Sequence, residues 1–218
     1  MTDLVDFKQP EISDTDLKAP IYIDFGPTSL SATPWNNITS HQESSTTSWI
    51  KDVENNYTNI GVRVLDGFTA THAGVGSEPA SPVTVDGVEF PLTAWKDGLL
   101  VKGEKNQGDV GPGRIEISQL DVARKYNFTI LAIRFNGSKD ARISSYKLVG
   151  KTESAVKEVK TGIKDAASFA AANFEEYIAK FENVEPDSEG KVIVEVKGLD
   201  TGSAAEGHIN ALCISLAK

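Results

Sequence analysis

The sequence predicts an all-β fold, a jelly-roll-type antiparallel β-sandwich over residues 20–218 with an extended N-terminal arm over residues 1–19. Three observations carry that prediction. Apolar residues alternate at Ile21/Ile23/Phe25, Ile60/Val62/Val64 and Val192/Val194/Val196, a period of two that turns one face of each segment inward. About ten such short segments occur at the spacing of sandwiches and jelly rolls, separated by Gly, Pro, Asn and Asp. No fixed-period repeat and no long linker divides the 218 residues, a length ordinary for one all-β domain.

Taken in order, residues 1–19 are polar, rich in carboxylates and interrupted by Pro10. They read as an extended arm, held by the domain's own surface or by a neighbouring subunit. Ile21-Tyr22-Ile23-Asp24-Phe25 is the first strand, and Gly26-Pro27 ends it. A long Ser-, Thr- and Asn-rich loop follows, with Trp35-Asn36-Asn37 inside it. Residues 60–64 form the next strand, closed by Asp66-Gly67. Residues 71–88 read as a long surface loop from their Gly, Pro and Ser content.

A second group of strands begins with Leu99-Leu100-Val101 and Arg114-Ile115-Glu116-Ile117. Residues 126–135 are apolar on both faces, as a central strand covered on both sides would be. Asn136-Gly137 marks a turn, and residues 143–149 return. Residues 153–161 read as an edge strand with Lys and Glu exposed. Residues 164–180 stay open between strand and short helix, because residues 165–172 have good helix propensity. Residues 178–184, a turn at Pro186-Asp187-Ser188-Glu189-Gly190, the Val192/Val194/Val196 strand, a loop over 198–207 and a closing strand over 209–216 complete the chain.

Composition narrows the function. The formal net charge is -9, from 31 acidic and 22 basic residues, which disfavours phosphate backbones and anionic membranes as partners. Cys213 is the only cysteine, so an internal disulfide and a multi-cysteine metal site are excluded. It lies in Ala211-Leu212-Cys213-Ile214 and reads as a small buried hydrophobe. The first residues have no basic or apolar signal-peptide region, and no run approaches a membrane span. The expected location is a virion surface or another extracellular assembly reached without such a signal. The alternative is a secreted or cell-surface protein whose signal has been removed.

Catalytic machinery is not legible. His41, His72 and His208 are the three histidines, and each reads as a surface or turn residue. There is no nucleophile elbow, HExxH zinc motif, Walker A loop or dinucleotide fingerprint. With 31 acids, some carboxylate pair is always available, so pairs alone do not indicate a glycosidase. The glycine-rich run over 108–113 reads as a plain turn. The expectation is therefore no enzyme and no cofactor. A structural calcium would fit by composition at Asp187-Ser188-Glu189, where EF-hand spacing is absent.

Loop aromatics are the stronger lead. Trp35, Trp49, Trp95 and Tyr57 lie outside the clearest apolar strands. Sugar-binding surfaces set exposed rings against the apolar faces of pyranoses, with amides and carboxylates reaching the hydroxyls. Trp35, Asn36, Asn37, Tyr57, Trp95 and Asp97 are the candidate ligand-binding residues on that basis. The competing reading has the tryptophans plugging the open ends of the sandwich.

The stretches Ile23-Asp24-Phe25-Gly26-Pro27 and Thr33-Pro34-Trp35-Asn36-Asn37 resemble the opening of galactose-binding-like jelly-roll modules, which include carbohydrate-binding modules of gut bacteria. So do Tyr126-Asn127-Phe128-Thr129, Tyr146-Lys147-Leu148-Val149-Gly150, Phe181-Glu182-Asn183-Val184-Glu185-Pro186-Asp187 and residues 207–215. The resemblance spans about residues 20–218. It implies a non-catalytic module of the kind that accompanies glycan-degrading enzymes. The function expected is a binding or assembly module, a surface or decoration subunit of an assembly such as a bacteriophage virion, with glycan recognition. Its partners would be other protein subunits, through the arm, and glycans. The alternative is a stand-alone carbohydrate-binding module of a gut-bacterial glycan-utilisation system.

Overall fold

The structure, a computed structural model, describes residues 17–102, 112–135, 142–199 and 206–218. In chain order the strands are β1 (Ile21–Phe25), β2 (Trp35–Ile38), β3 (Thr46–Thr47), β4 (Gly61–Asp66), β5 (Ala70–His72) and β6 (Val83–Val85). Next come β7 (Val88–Phe90), β8 (Gly98–Lys102), β9 (Gly113–Ser118), β10 (Tyr126–Leu131), β11 (Arg134–Phe135) and β12 (Ile143–Val149). The last are β13 (Lys157–Lys160), β14 (Gly162–Ile163), β15 (Ile178–Val184), β16 (Val192–Gly198), β17 (Glu206–Ile209) and β18 (Ala211–Leu216). Two short helices, α1 (Leu92–Trp95) and α2 (Ala166–Ala170), and a 3-10 turn at Phe174–Tyr177 complete the elements.

Two sheets form the sandwich. The first has the order β15-β10-β18-β1-β2, the second β13-β12-β16-β9-β4-β3. Their pairs are antiparallel except β1–β2, where the edge strand runs parallel. The fold is the expected all-β sandwich, with this parallel edge as a departure from purely antiparallel sheets. β17-β8-β5, the hairpin β6-β7 and the short pair β11-β14 are added around it.

The alternating residues pack between the two sheets. β1 sends in Ile21, Ile23 and Phe25, β10 sends Phe128 and Ile130, and β18 sends Leu212 and Ile214. They meet Val62 and Val64, Ile115 and Ile117, Leu148, Val192, Val194 and Val196. Phe25, Val62, Val64, Phe128, Ile130, Val194 and Leu212, the residues the alternation puts inside, are at most 1% exposed. Leu17 joins this core and Ala19 is also buried, so the domain reaches back into the segment read as an arm. Residues 1–16 lie outside the described residues.

A second apolar cluster lies on the other face of the first sheet. There Leu131, Ile178, Ala211 and Cys213 meet Val83, Val85, Phe90, Trp95, Phe169 and Tyr177. β10 is thus covered on both faces only at its Leu131 end, since Asn127 and Thr129 leave the rest of its outer face open; the stretch 126–135 read as one doubly covered strand is divided between β10 and β11. Residues 71–88 are not one loop: they hold the end of β5, β6 and the start of β7. Asp86 and Gly87 both have positive φ, 51 and 76, the backbone of a tight hairpin turn. Residues 164–180 resolve into α2, the 3-10 turn and the start of β15. Asp165 caps α2 by accepting a hydrogen bond from Ser168 N at 2.8 Å. Residues 157–160 form the expected edge strand β13. The turn at Asn136-Gly137 and most of the 108–113 run lie outside the described residues.

Candidate functional site

The strands that send Ile21, Phe128, Ile214 and Phe181 inward must turn their alternate residues outward. One row of cross-strand neighbours then crosses the whole first sheet: Trp35, Tyr22, Cys213, Thr129 and Lys180. Asn127 and Ser215 form the next row. Over half the sheet the outer face is sealed by the second apolar cluster. Over the other half it floors a groove of about 230 Å³, lined by Tyr22, Asn127, Thr129, Lys180, Ser215 and the hairpin tip at Asp86. A further cleft of about 460 Å³ shares Pro20, Asn127 and Ser215 and runs on to Lys18 and Lys218.

An aromatic row leads to the groove. Phe90 backs Trp35 at 5.6 Å between ring centroids, and Trp35 backs Tyr22 at 5.1 Å. Burial, and then Cys213, raises the Tyr22 phenol above its usual range. Burial raises the Cys213 thiol as well, so both stay neutral. Burial works against the charge of Lys180, but Asp86 at 2.5 Å and Glu175 at 2.7 Å outweigh it and hold the ammonium. Asn127 Oδ1 accepts from Asn183 N at 3.0 Å, which fixes the amide. The arrangement offers a ring, an amide, two hydroxyls and a fixed ion pair around an open groove.

No family model matches the chain, and no curated protein matches its sequence. Solved structures show distant likenesses. The ANX2 ectodomain from Arabidopsis thaliana superposes with a TM-score of 0.47 at 8% identity, over 71% of this chain and 42% of that one. The ANXUR1 extracellular domain from Arabidopsis thaliana gives 0.45 at 9%, over 71% and 40%. TmCBM61, solved with β-1,4-galactotriose, gives 0.33 at 13%, over 56% and 71%. The chain thus spans less than half the length of the two plant ectodomains. None of these likenesses supports a virion or decoration role, or subunit contacts through the arm.

The residues singled out by the sequence do not form one site. Trp35 stands behind Tyr22, and is half-buried. The Asn36 amide donates to Tyr22 O and Lys51 O and accepts from Lys51 N; it ties β1 to the 51–58 turn. Asn37 exchanges two bonds with the Ser31 backbone. Tyr57 is 49% exposed under the Lys51 ammonium, 4.6 Å from the ring centroid. Trp95 and Asp97 are 0% exposed and offer no side-chain surface to a ligand. Trp95 stacks on Phe169 at 4.9 Å because α1 presses it onto the sheet, the plugging role of the competing reading. Asp97 Oδ2 accepts from Thr28 N, Thr28 Oγ1 and Ser29 N and shapes the 26–31 turn. At the calcium candidate, Asp187 Oδ1 already accepts from the Glu189 and Lys191 amides.

Sequence reasoning passed over Tyr22, Asn127, Thr129 and Ser215. The signal for them was present: each is out of phase with the inward residues of its strand. His72 and His208 correct the sequence reading outright. They are not surface residues but 6% and 0% exposed, because β5 and β17 flank β8 and bring both inward.

Proposed function

We propose that this chain is a non-catalytic carbohydrate-binding β-sandwich module, with its ligand in the groove on the outer face of the first sheet. The observation that supports it is the Phe90–Trp35–Tyr22 row ending at a groove edged by Asn127, Thr129 and Ser215. A pyranose presents one apolar face and a rim of hydroxyls, which such a pairing of ring and short polar groups matches. The groove's continuation past Pro20 gives room for more than one sugar unit. Its cation and nearest anion are already paired as Lys180 and Asp86, an arrangement suited to holding hydroxyls rather than to proton transfer.

The test is binding of neutral oligosaccharides by calorimetry after a glycan-array screen. Tyr22→Ala should weaken binding by about tenfold or more, the effect of losing one well-placed aromatic contact, without changing the melting temperature by more than a few degrees. Absence of any binder across the array, or binding indifferent to Tyr22→Ala and Asn127→Ala, would overturn the reading.

A further inference from the structure

Another opening lies on residues that the groove does not use. The loop from β9 to β10 and the loop from β15 to β16 run side by side, and with Asn59 they enclose a surface cleft of about 390 Å³, within the size range of small-ligand sites. Its floor is backbone. Leu120 N donates to Gly190 O at 2.9 Å, and a Cβ on Gly190 would stand 2.5 Å from Leu120 O. Gly190 is at φ 73, so glycine is what lets the two loops meet this closely.

The walls are fixed by bonds of their own. Asp121 N donates to the Tyr126 hydroxyl at 2.9 Å, and Asp121 Oδ1 accepts from Ala123 N at 2.8 Å. Asp187 Oδ1 holds the opposite loop through the Glu189 and Lys191 amides. The two carboxylates that line the cleft are matched by cations outside it: Asp121 lies 3.8 Å from Arg124 Nε, and Glu189 lies 2.5 Å from Lys191 Nζ. Three uncharged polar side chains are left over. Among the described residues, the amides of Asn59 and Gln119 and the hydroxyl of Ser188 make no hydrogen bond to the protein. Val122, 58% exposed, adds apolar surface beside them.

A second observation comes from the neighbouring segment. Trp49 is 40% exposed and held at φ 53, a left-handed backbone in which a bulky residue is an outlier. The next residue, Ile50, is 2% exposed and donates to Ile60 O at 3.1 Å, so core packing accounts for Ile50 but not for the Trp49 ring. Strain spent on an exposed side chain points to a surface contact. The segment borders the cleft: a Cβ on Gly61 would lie 3.0 Å from Ser118 Oγ and 3.9 Å from Ser48 Cα. Residues 48–49 therefore pass the ends of β4 and β9, from which Asn59 and Gln119 extend.

We propose that this cleft, bordered by Trp49, is a second carbohydrate site, for a neutral sugar unit. Each free amide both donates and accepts, as does the serine hydroxyl, which suits the hydroxyl rim of a sugar. The exposed indole suits the apolar face of a pyranose. A charged ligand would meet no unmatched charge there. The cleft shares no lining residue with the groove and stands whether or not the groove binds. With both occupied by one polysaccharide, the second contact raises affinity through effective concentration.

The test is a 1H-15N NMR titration of the whole chain with neutral tetrasaccharides of glucose, galactose, mannose and xylose, each run separately. At least one should give saturable shifts at the Trp49 indole and at the Asn59 and Gln119 side-chain amides. Trp49→Ala should weaken that binding by about tenfold, the effect of losing one aromatic contact. Trp49→Gly removes the ring and also relieves the left-handed backbone. It should be no less stable than wild type and bind as weakly as Trp49→Ala, which separates loss of the ring from loss of the fold. Tyr22→Ala should leave these shifts in place, so failure of the groove and failure of this site show separately. No saturable shift at the cleft with any of the sugars, unchanged affinity in Trp49→Gly, or tighter binding here of tetragalacturonate than of the galactose tetrasaccharide would overturn the proposal.

Discussion

Asp24 closes β1 with its carboxylate 1% exposed, one oxygen taken by Ser31 N at 3.1 Å and the other without a described partner. Burial, with Asp97 adding to it and the Ser31 bonds opposing, pushes its pKa up to about 7 from 3.8. A group whose pKa is raised on folding stabilises the fold below its unfolded value and loses that contribution as pH rises through its folded one. Wild-type stability should therefore carry a loss between pH 3.8 and about 7, at most about 4 kcal/mol, that Asp24→Asn abolishes. His72 and His208, held low mainly by burial, act in the opposite sense: their contribution is lost as pH falls below 6.5. The difference between wild type and Asp24→Asn in chemical denaturation across this range isolates Asp24; identical pH profiles would contradict the assignment. Phe128 is a simpler case. It is 0% exposed at the centre of the core, and Phe128→Ala should cost roughly 3–5 kcal/mol, against under about 1 kcal/mol if the strand faced the other way. Inward residues such as this were legible because a strand has only two faces. Trp95 and Asp97 were not, because a tryptophan and an aspartate in a turn look the same whether a helix buries them or solvent does.

At the level of elements, the hairpin β6-β7 was written in the chain as Val83-Thr84-Val85-Asp86-Gly87-Val88-Glu89-Phe90. Asp-Gly between alternating apolar residues is a strong short-range hairpin signal. Reading residues 71–88 by their Gly, Pro and Ser content merged it with the loop before it. β2 had no such signal, since Asn is poor in strands and its two asparagines are kept there by bonds to Tyr22, Lys51 and Ser31. The two glycines that the elements depend on should respond differently to alanine. Gly87, at φ 76 with nothing within 4 Å, should cost only the left-handed backbone penalty of roughly 1–2 kcal/mol. Gly98→Ala must displace the Ile209 carbonyl, 2.5 Å from where the added Cβ would lie, so its denaturation midpoint should fall further. Equal losses in the two variants would mean that β17 and β8 are not packed as described.

Across the whole molecule, one sheet does two jobs. Its inner face closes the sandwich core, and its outer face is divided between a sealed apolar half and an open polar half. The sandwich was legible from alternation alone, because burial between two sheets forces a period of two. The groove was not, because it depends on where the hairpin, α1 and α2 stop covering the sheet, which is set by contacts distant in sequence. The cleft between Asn59, Gln119 and Ser188 escaped for the same reason, its walls being spread over more than half the chain. The most direct measurement of the central claim is a 1H-15N NMR titration of the whole chain with a neutral oligosaccharide drawn from an array screen. The expected result is a set of saturable shifts at Tyr22, Asn127, Thr129, Lys180 and Ser215. Shifts confined to other surfaces, such as the exposed Trp49 and Tyr57, or no shift with any neutral glycan, would contradict it.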